Sequence, residues 1–378
     1  MWQVPLFDLN YDAREEDAVL EVIRSRWLTS GPQTARFEQL FSDYLGGGVR
    51  SLAVTNCTAA LHLALLACGV GAGDEVIISG LSFVACLNVV SLIGAVPVLA
   101  DCKSRDDWNV SPDEIARKIT PRTKALLIVH FAGYPCDMEE IMQIASANNL
   151  RVIEDVAHAV GADYRGKKCG TMGDIGCFSF FSNKNLSTGE GGMLVTKDGA
   201  LHDCLKLLRS HGMTSMTIER HDQKAISYDV VRPGLNYRFD EIRAALGIQQ
   251  LFKLDASNLL RKAHVERYHA LLGEAQGVQL PWRDPLCDRT SSYHIFPILL
   301  PKGHGRLALV ESMRRDGVQT SMHYPAYQSF TCYAQLGQRV PTADEISSRV
   351  LTLPLYATMG SQAIDTVCDS LLRGLESC

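Results

Sequence analysis

Long hydrophobic runs are missing from this 378-residue chain. No apolar stretch approaches the ~18 residues of a membrane helix, and the opening M-W-Q-V-P-L-F-D-L-N has no basic region followed by an apolar one. Neither a membrane span nor a secretory leader is expected, and the location implied is cytoplasmic. An excess of one charge is missing too. With 37 basic and 42 acidic residues the formal net charge is −5, which leaves no footprint for nucleic acid or an anionic membrane surface. The twelve cysteines contain no C-x-x-C pair, and Cys68, Cys86 and Cys177 lie in apolar runs. Buried free thiols are expected rather than disulfides or a zinc site. There is no G-x-S-x-G elbow, H-E-x-x-H, Walker loop or G-x-G-x-x-G fingerprint, which argues against the hydrolases, metalloproteases and nucleotide-binding enzymes that carry them. His264 and His269 stand on a predicted helix at a spacing that does not share one face, so no metal pair is read there.

What is present is ordinary for a soluble enzyme, with 46% hydrophobic and 21% charged residues. Apolar spacing predicts helices over Asp12 to Arg26 and Ala35 to Leu45, and then a regular alternation. Strands are expected at Ser51 to Val54, Glu75 to Ser79, Val96 to Ala100, Lys124 to His130 and Arg151 to Glu154. Between them come helices Thr58 to Cys68, Ser82 to Ile93, Ser111 to Ile119 and Met138 to Asn148. Such alternation implies an α/β fold with a mostly parallel sheet covered on both faces. A further strand at Met193 to Thr196 and a long helix from Asp240 to Leu272 lead to a smaller unit with a strand-like Tyr293 to Leu300 and helices Gly305 to Asp316 and Ser361 to Gly374. Two domains are therefore expected, 1–250 and 251–378.

Three stretches carry chemistry. F-S-F-F-S-N-K-N-L-S-T-G-E-G-G, from Phe178 to Gly192, sets Lys184 among hydroxyls, an amide and glycines directly after an apolar run. A lysine held at the end of a buried element has the lowered pKa that attack on a carbonyl requires. In R-V-I-E-D-V-A-H-A, Asp155 sits at a strand end, where an acid can point into the ligand crevice of an open α/β sheet. Ser51 to Gly69 reads as a strand, a polar turn and an Ala/Leu-rich helix, whose free N–H groups suit a phosphate. Each has a plain structural reading beside it: Lys184 as a surface lysine, Asp155 as an N-cap, Thr55 and Asn56 as capping residues.

Taken together in order, these motifs resemble the DegT/DnrJ/StrS family of pyridoxal-phosphate sugar aminotransferases, which have fold type I architecture. The similarity extends through W-L-T-S-G-P at Trp27 to Pro32, C-T-A-A-L-H-L-A-L, G-A-G-D-E-V-I from Gly71, E-D-V-A-H-A, S-F-F-S-N-K-N-L-S-T-G-E-G-G and G-L-N-Y-R-F-D-E-I-R-A-A-L-G from Gly234. The resemblance implies pyridoxal phosphate as cofactor, Lys184 as the Schiff-base lysine, Asp155 as the partner of the pyridinium nitrogen, and Ser179, Cys57 and Thr58 at the phosphate. Cysteine at 57 departs mildly from the family and is tolerable if the contact is its N–H. Phe83 is expected to stack on the cofactor, unless it is a core phenylalanine. His158 is expected near the phenolic oxygen and Asn236 to reach the phosphate of the neighbouring subunit, unless it caps a helix of its own chain. Arg238 and His323 are expected on the substrate side.

The activity so implied is ping-pong transfer of an amino group from L-glutamate, which leaves as 2-oxoglutarate, to a nucleotide-linked keto-sugar. W-L-T-S-G-P points to the C4 position of a 4-keto-6-deoxyhexose, and a homodimer with shared active sites is implied. Two other readings stand beside it. A keto-inositol aminotransferase would have polar glutamines before the lysine, where this chain has Phe181-Ser182-Asn183. A non-catalytic regulatory protein on the same fold is disfavoured by intact Lys184, Asp155 and Ser179 and by the lack of a basic DNA-binding extension. The sugar dehydratase branch, with histidine in place of the lysine, is disfavoured by Lys184 itself.

Overall fold

In the computed structural model, which describes residues 2–215, 227–273, 275, 277–283 and 287–377, each expected element is present with ends shifted by a few residues. Helix α1 (Ala13–Ser25) starts at Asp12, whose side chain accepts from Arg14 N while Glu15 closes a capping box. Helix α2 (Pro32–Leu45) has proline in its first turn and no cap of its own. The carboxylate of Glu241 serves instead, accepting from Gly31 N, Gln33 N and Thr34 N at 2.7–2.8 Å, an anion on the positive end of a helix. The apolar face of α2 buries Phe37 and Phe41 against Phe178, Phe180 and Phe239.

The alternation follows: β1 (Arg50–Val54), α3 (Cys57–Ala67), β2 (Glu75–Ser79), α4 (Ala85–Leu92), β3 (Val96–Ala100), α5 (Pro112–Lys118), β4 (Thr123–Val129), α6 (Met138–Ala147) and β5 (Arg151–Asp155). A short hairpin, β6 (Asp163–Tyr164) and β7 (Lys167–Lys168), precedes β8 (Ile175–Ser179), β9 (Gly192–Thr196) and α7 (Gly199–Arg209). The main sheet has the order β1-β9-β8-β5-β4-β2-β3. All its strands run one way except β9, which is antiparallel to both β1 and β8. The strands are buried almost throughout, as continuous Val/Ile/Leu runs in a doubly covered sheet must be. The carboxyl ends of β1, β5 and β8 therefore open on one edge, the place where open α/β sheets bind ligands.

Helix α8 (Glu241–Leu272) then runs unbroken, followed by β10 (Arg289–Thr290), β11 (Phe296–Leu299), α9 (Arg306–Arg315), α10 (Pro341–Arg349), β12 (Val350–Leu353) and α11 (Ser361–Ser377). The first part of α8 places Ala244, Ile248, Leu251 and Leu254 in the aromatic core behind the sheet. Its last part places Val265, Tyr268 and Leu272 in a second core with Phe296, Ile298, Met313, Leu353 and Ile364. The division expected at residue 250 falls inside this rod. Val4, near the amino end, also belongs to the second core.

Two elements differ in ways that bear on function. Helix α4 begins at Ala85 and not at Ser82, whose buried hydroxyl bonds to that of Tyr327, and Phe83 lies in the turn before it. The strand expected from Tyr293 starts only at Phe296. Tyr293 has φ 52°, and the backbone N–H groups of Ser292 and His294 dock on the carbonyls of Gly133 and Ala132 at 3.1 and 3.0 Å. The eleven described cysteines are free, eight of them buried; Cys378 lies outside the described residues. Among the described residues no helix is long and apolar enough to cross a membrane.

Candidate active site

A cavity of about 400 Å³ opens at the carboxyl edge of the sheet. Its lining includes Cys57, Thr58, Phe83, Asp155, His158, Ser179, Lys184 and His323, eight residues singled out from sequence. Each is delivered by a different local device. Val54 ends β1, Asn56 caps α3 by accepting from Ala59 N at 2.8 Å, and Cys57 and Thr58 form its first turn. Asn56 is thus the capping residue that the plain reading of this turn allowed. Among the described residues the N–H groups of Cys57 and Thr58 donate to no protein acceptor. Gly192 lets β9 pass directly beneath this turn: a Cβ there would lie 2.5 Å from the Asn56 carbonyl carbon and 2.8 Å from Cys57 N. The result is a cradle of backbone donors at the positive end of a helix, with the Ser179 hydroxyl at the end of β8 beside it in the lining.

Asp155 ends β5 and is no N-cap. One oxygen accepts from Ala157 N at 2.9 Å and the other from the Cys86 thiol at 3.4 Å. Burial raises its pKa, against the opposing pull of these bonds and of Lys184. Its neighbour Glu154 faces the other way and ties down the strand end, accepting from Gly170 N, Met172 N, Gly173 N and His130 Nε2 at 2.6–3.0 Å. Burial would push Glu154 up, but the bonds from His130, Gly173 and Gly170 hold it below the usual carboxylate range.

Lys184 lies in the β8–β9 loop, which is folded back on itself by Thr188 N to Phe180 O (2.8 Å), Lys184 N to Phe181 O (2.8 Å) and Phe180 N to Gly191 O (2.9 Å). Burial lowers its pKa to about 8, although the negative potential of Asp155 and Cys57 works in the other direction. Three histidines surround it. Burial first, then the charge of Lys184, pushes His158 and His294 far down and His323 to about 3, so all three are neutral near pH 7. His158 Nδ1 accepts from Ala132 N at 3.2 Å, so its proton is on Nε2 and points to the Tyr324 hydroxyl at 2.9 Å. His323 Nδ1 lies 2.9 Å from the Thr352 hydroxyl.

Phe83 is 55% exposed at the cavity mouth, with its ring 5.6 Å from Tyr324, so it is not a core phenylalanine. Asn236 and Arg238 stand apart from the other candidates. Asn236 is exposed and bridges Ser210 through its backbone, while Asp240 caps α8 by accepting from Arg243 N, which removes the own-chain capping role. Arg238 donates to Ser210 Oγ at 3.1 Å and pairs with Val54 at the end of β1. Neither lines the cavity of its own chain.

Sequence reasoning missed three further groups. His294 lies 3.3 Å from Lys184 Nζ, Tyr324 shares the lining, and Asn183, next to the lysine, has a buried Oδ1 that meets no partner among the described residues. A half-buried lysine of lowered pKa, a buried carboxylate, an anion cradle and an orphaned amide oxygen converge on one cavity. Together they fit an aldehyde-bearing, phosphorylated, ring-nitrogen cofactor such as pyridoxal phosphate.

Comparison with known proteins agrees. The model of the DegT/DnrJ/EryC1/StrS aminotransferase family matches residues 10–372. The spore coat polysaccharide biosynthesis protein SpsC of Bacillus subtilis is 35% identical over 368 residues, covering 94% of this chain and 93% of SpsC. Among solved structures, DesV of S. venezuelae superposes with a TM-score of 0.90 at 31% identity. PseC of Helicobacter pylori, an aminotransferase involved in the biosynthesis of pseudoaminic acid, gives 0.90 at 29% identity. Each of these two alignments covers 100% of this chain and 99% of the other.

Proposed function

Because the chain belongs to the DegT/DnrJ/EryC1/StrS aminotransferase family and is a pyridoxal-phosphate-dependent sugar aminotransferase, we propose that it aminates a nucleotide-linked 4-keto-6-deoxyhexose at C4, with L-glutamate as donor. The observation that carries the catalytic part is the meeting of Lys184 and Asp155 in one cavity beside the first turn of α3. When bound, pyridoxal phosphate supplies an electron sink for the carbanion formed at the substrate carbon.

The chain does the rest. Asp155 would hold the protonated ring nitrogen, the N–H groups of Cys57 and Thr58 with the Ser179 and Thr58 hydroxyls would hold the phosphate, and Phe83 would cover the ring. Lys184 would bond to the aldehyde carbon and, as a free amine, would hold and move the proton at the substrate carbon. Its pKa of about 8 leaves roughly a tenth of the amine unprotonated at pH 7, enough for an efficient base. His158 presents Nε2–H on the phenolic side, and His323 faces the substrate. The cavity mouth, formed in part by exposed Phe83 and Phe181, favours a sugar linked to a flat nucleotide over a free polyhydroxylated inositol.

The assembly we propose is a homodimer in which Asn236 and Arg238 serve the partner's cavity: Asn236 at the phosphate, Arg238 as a planar fork for the donor carboxylate. Their position outside their own cavity supports it, as does the exposure of Val230 and Val231 just before them, at 52% and 55%. Incubation of the purified protein with L-glutamate and a panel of nucleotide-linked keto-sugars, followed by NMR of the product, tests the substrate. A 4-amino sugar is expected. A 3-amino product or turnover only of a keto-inositol overturns the assignment.

A further inference from the structure

We propose that His294 is the positioning residue that holds the Lys184 amine whenever that amine is not bonded to the cofactor, and that Asn185 locks His294 into the one tautomer able to do so. The assignment rests on Lys184 being the imine-forming lysine.

The geometry starts from the amide of Asn185. Its Nδ2 donates to the Ser292 carbonyl at 2.7 Å and to Asn258 Oδ1 at 2.7 Å. A backbone carbonyl can only accept, so the orientation of the amide is fixed and its Oδ1 must face His294 Nδ1, 3.0 Å away. An amide oxygen can only accept in turn, so Nδ1 carries the ring proton. His294 Nε2 is then left as a bare lone pair, and it faces Lys184 Nζ at 3.3 Å. Both the ammonium and the neutral amine of Lys184 can donate to it. The imidazole cannot take the proton away, because burial and the lysine's own charge keep it neutral.

His294 is placed with little freedom. Its N–H donates to Ala132 O at 3.0 Å, its carbonyl accepts from Arg261 of α8 at 3.1 Å, and its ring lies 4.5 Å from that of His158. Ser292 is pinned as well, its hydroxyl donating to His158 O at 2.7 Å. A side chain that only filled space would not need its tautomer and its backbone fixed from four directions.

The titratable groups around Lys184 are Asp155 at the end of β5 and Cys57 at the start of α3, which work against the lowering by burial, and His158 after β5, His323 before β12 and His294, each of which the lysine's charge pushes down. Of these, His294 is the one within hydrogen-bonding distance of Nζ among the described residues. An acceptor at that distance favours the ammonium, so it partly offsets burial and keeps the amine aimed at a fixed point while substrate occupies its former place.

The test is the titration of Lys184 in protein stripped of cofactor, by competitive labelling with trace acetic anhydride across pH 6–10 and mass spectrometry of the Lys184 peptide. Wild type is expected to show a midpoint near 8. His294→Leu is expected to lower it by about one pH unit or more, the scale of a lost hydrogen bond to a charged group. Asn185→Leu keeps the imidazole but frees the other tautomer, whose Nε2–H favours the neutral amine. It is expected to shift the midpoint the same way, and carries the test alone if His294→Leu does not fold. His294→Gln, which retains an acceptor, is expected to recover part of the shift. Midpoints within about 0.3 pH unit of wild type in the Leu variants, with or without a loss of thermal stability, overturn the proposal. Whether Lys184 carries the cofactor at all is decided separately, by borohydride reduction of the coloured holoprotein and peptide mapping.

Discussion

Asp155→Asn separates function from stability in opposite directions. The carboxylate is buried, and its only described neutral partners are Ala157 N and the Cys86 thiol, so burial raises its pKa in the cofactor-free protein. An acid whose folded pKa is raised destabilises the fold. The penalty is absent below the unfolded value of about 3.9, grows as pH rises through the folded value, and is fully present above it, at about 1.4 kcal/mol for each unit of displacement. Asparagine has no charge to bury, and its oxygen can keep the bond to Ala157 N. The stripped variant is therefore expected to melt above the stripped wild type at neutral pH, with the gain shrinking toward pH 4. With cofactor the order reverses. A hydrogen bond to a charged partner contributes about 1.5–3 kcal/mol, so loss of the charge should weaken pyridoxal phosphate binding roughly 10- to 150-fold and lower turnover at least as much. Melting curves with and without cofactor between pH 5 and 8, together with cofactor titrations, read both effects. A stripped variant less stable than wild type at every pH, or one that binds and turns over normally, would refute the reasoning and point to another acid.

Lys184→Ala is expected to form no borohydride-reducible bond to pyridoxal phosphate and to have no turnover; residual transamination in that variant means that the lysine is misassigned. In mixtures of Lys184→Ala with Asn236→Ala or Arg238→Ala, each inactive alone, subunit exchange should restore activity through one intact site per mixed dimer, and exchange without recovery shows that these residues serve one chain's cavity. Gly192→Ala puts a Cβ 2.5–2.8 Å from the backbone of Asn56 and Cys57. The first turn of α3 must then shift, and cofactor affinity, measured by titration of the stripped protein, is expected to fall by about tenfold or more with the fold retained, a loss of about 1.4 kcal/mol; unchanged affinity would show that this turn is not the phosphate cradle.

The strands of the main sheet were legible because each is a short apolar run bounded by turn residues; Glu75 to Ser79, buried throughout, and the edge strand Val96 to Ala100 agree with the structure to the residue. Lys184, Asp155 and Ser179 were legible because an ionisable or hydroxyl group at the end of such a run stands out. His294 was not. S-S-Y-H-I-F reads as the start of a strand, and what turns it toward Lys184 is the docking of Ser292 and His294 on Ala132 and Gly133, a contact between segments far apart in sequence. A polar Ser-Ser and a histidine beside an apolar run were the available sign. The reversal of β9 was nearer to hand. The stretch from Phe180 to Gly191 holds no helical run to make a crossover, so an antiparallel return is what such a loop permits. Asn183 was quoted within its motif without a role, since an orphaned amide oxygen is visible only in three dimensions.

The unbroken course of α8 through both cores has a meaning for recombination. A gene spliced at residue 250 would join two half-helices from different parents, and the register of Arg261 against His294 and Leu355 would depend on whether the parents share the same pitch and length between the two cores. A splice before Glu241 moves the rod whole, but it also hands the lysine of one parent the histidine of the other. Family members are then expected to exchange their carboxyl-terminal parts as working units only where the parent giving the amino-terminal part has an asparagine after its lysine and the parent giving the rest has the distant imidazole. Shuffled libraries that ignore this pairing should yield folded, cofactor-binding proteins whose lysine titrates at the wrong pH.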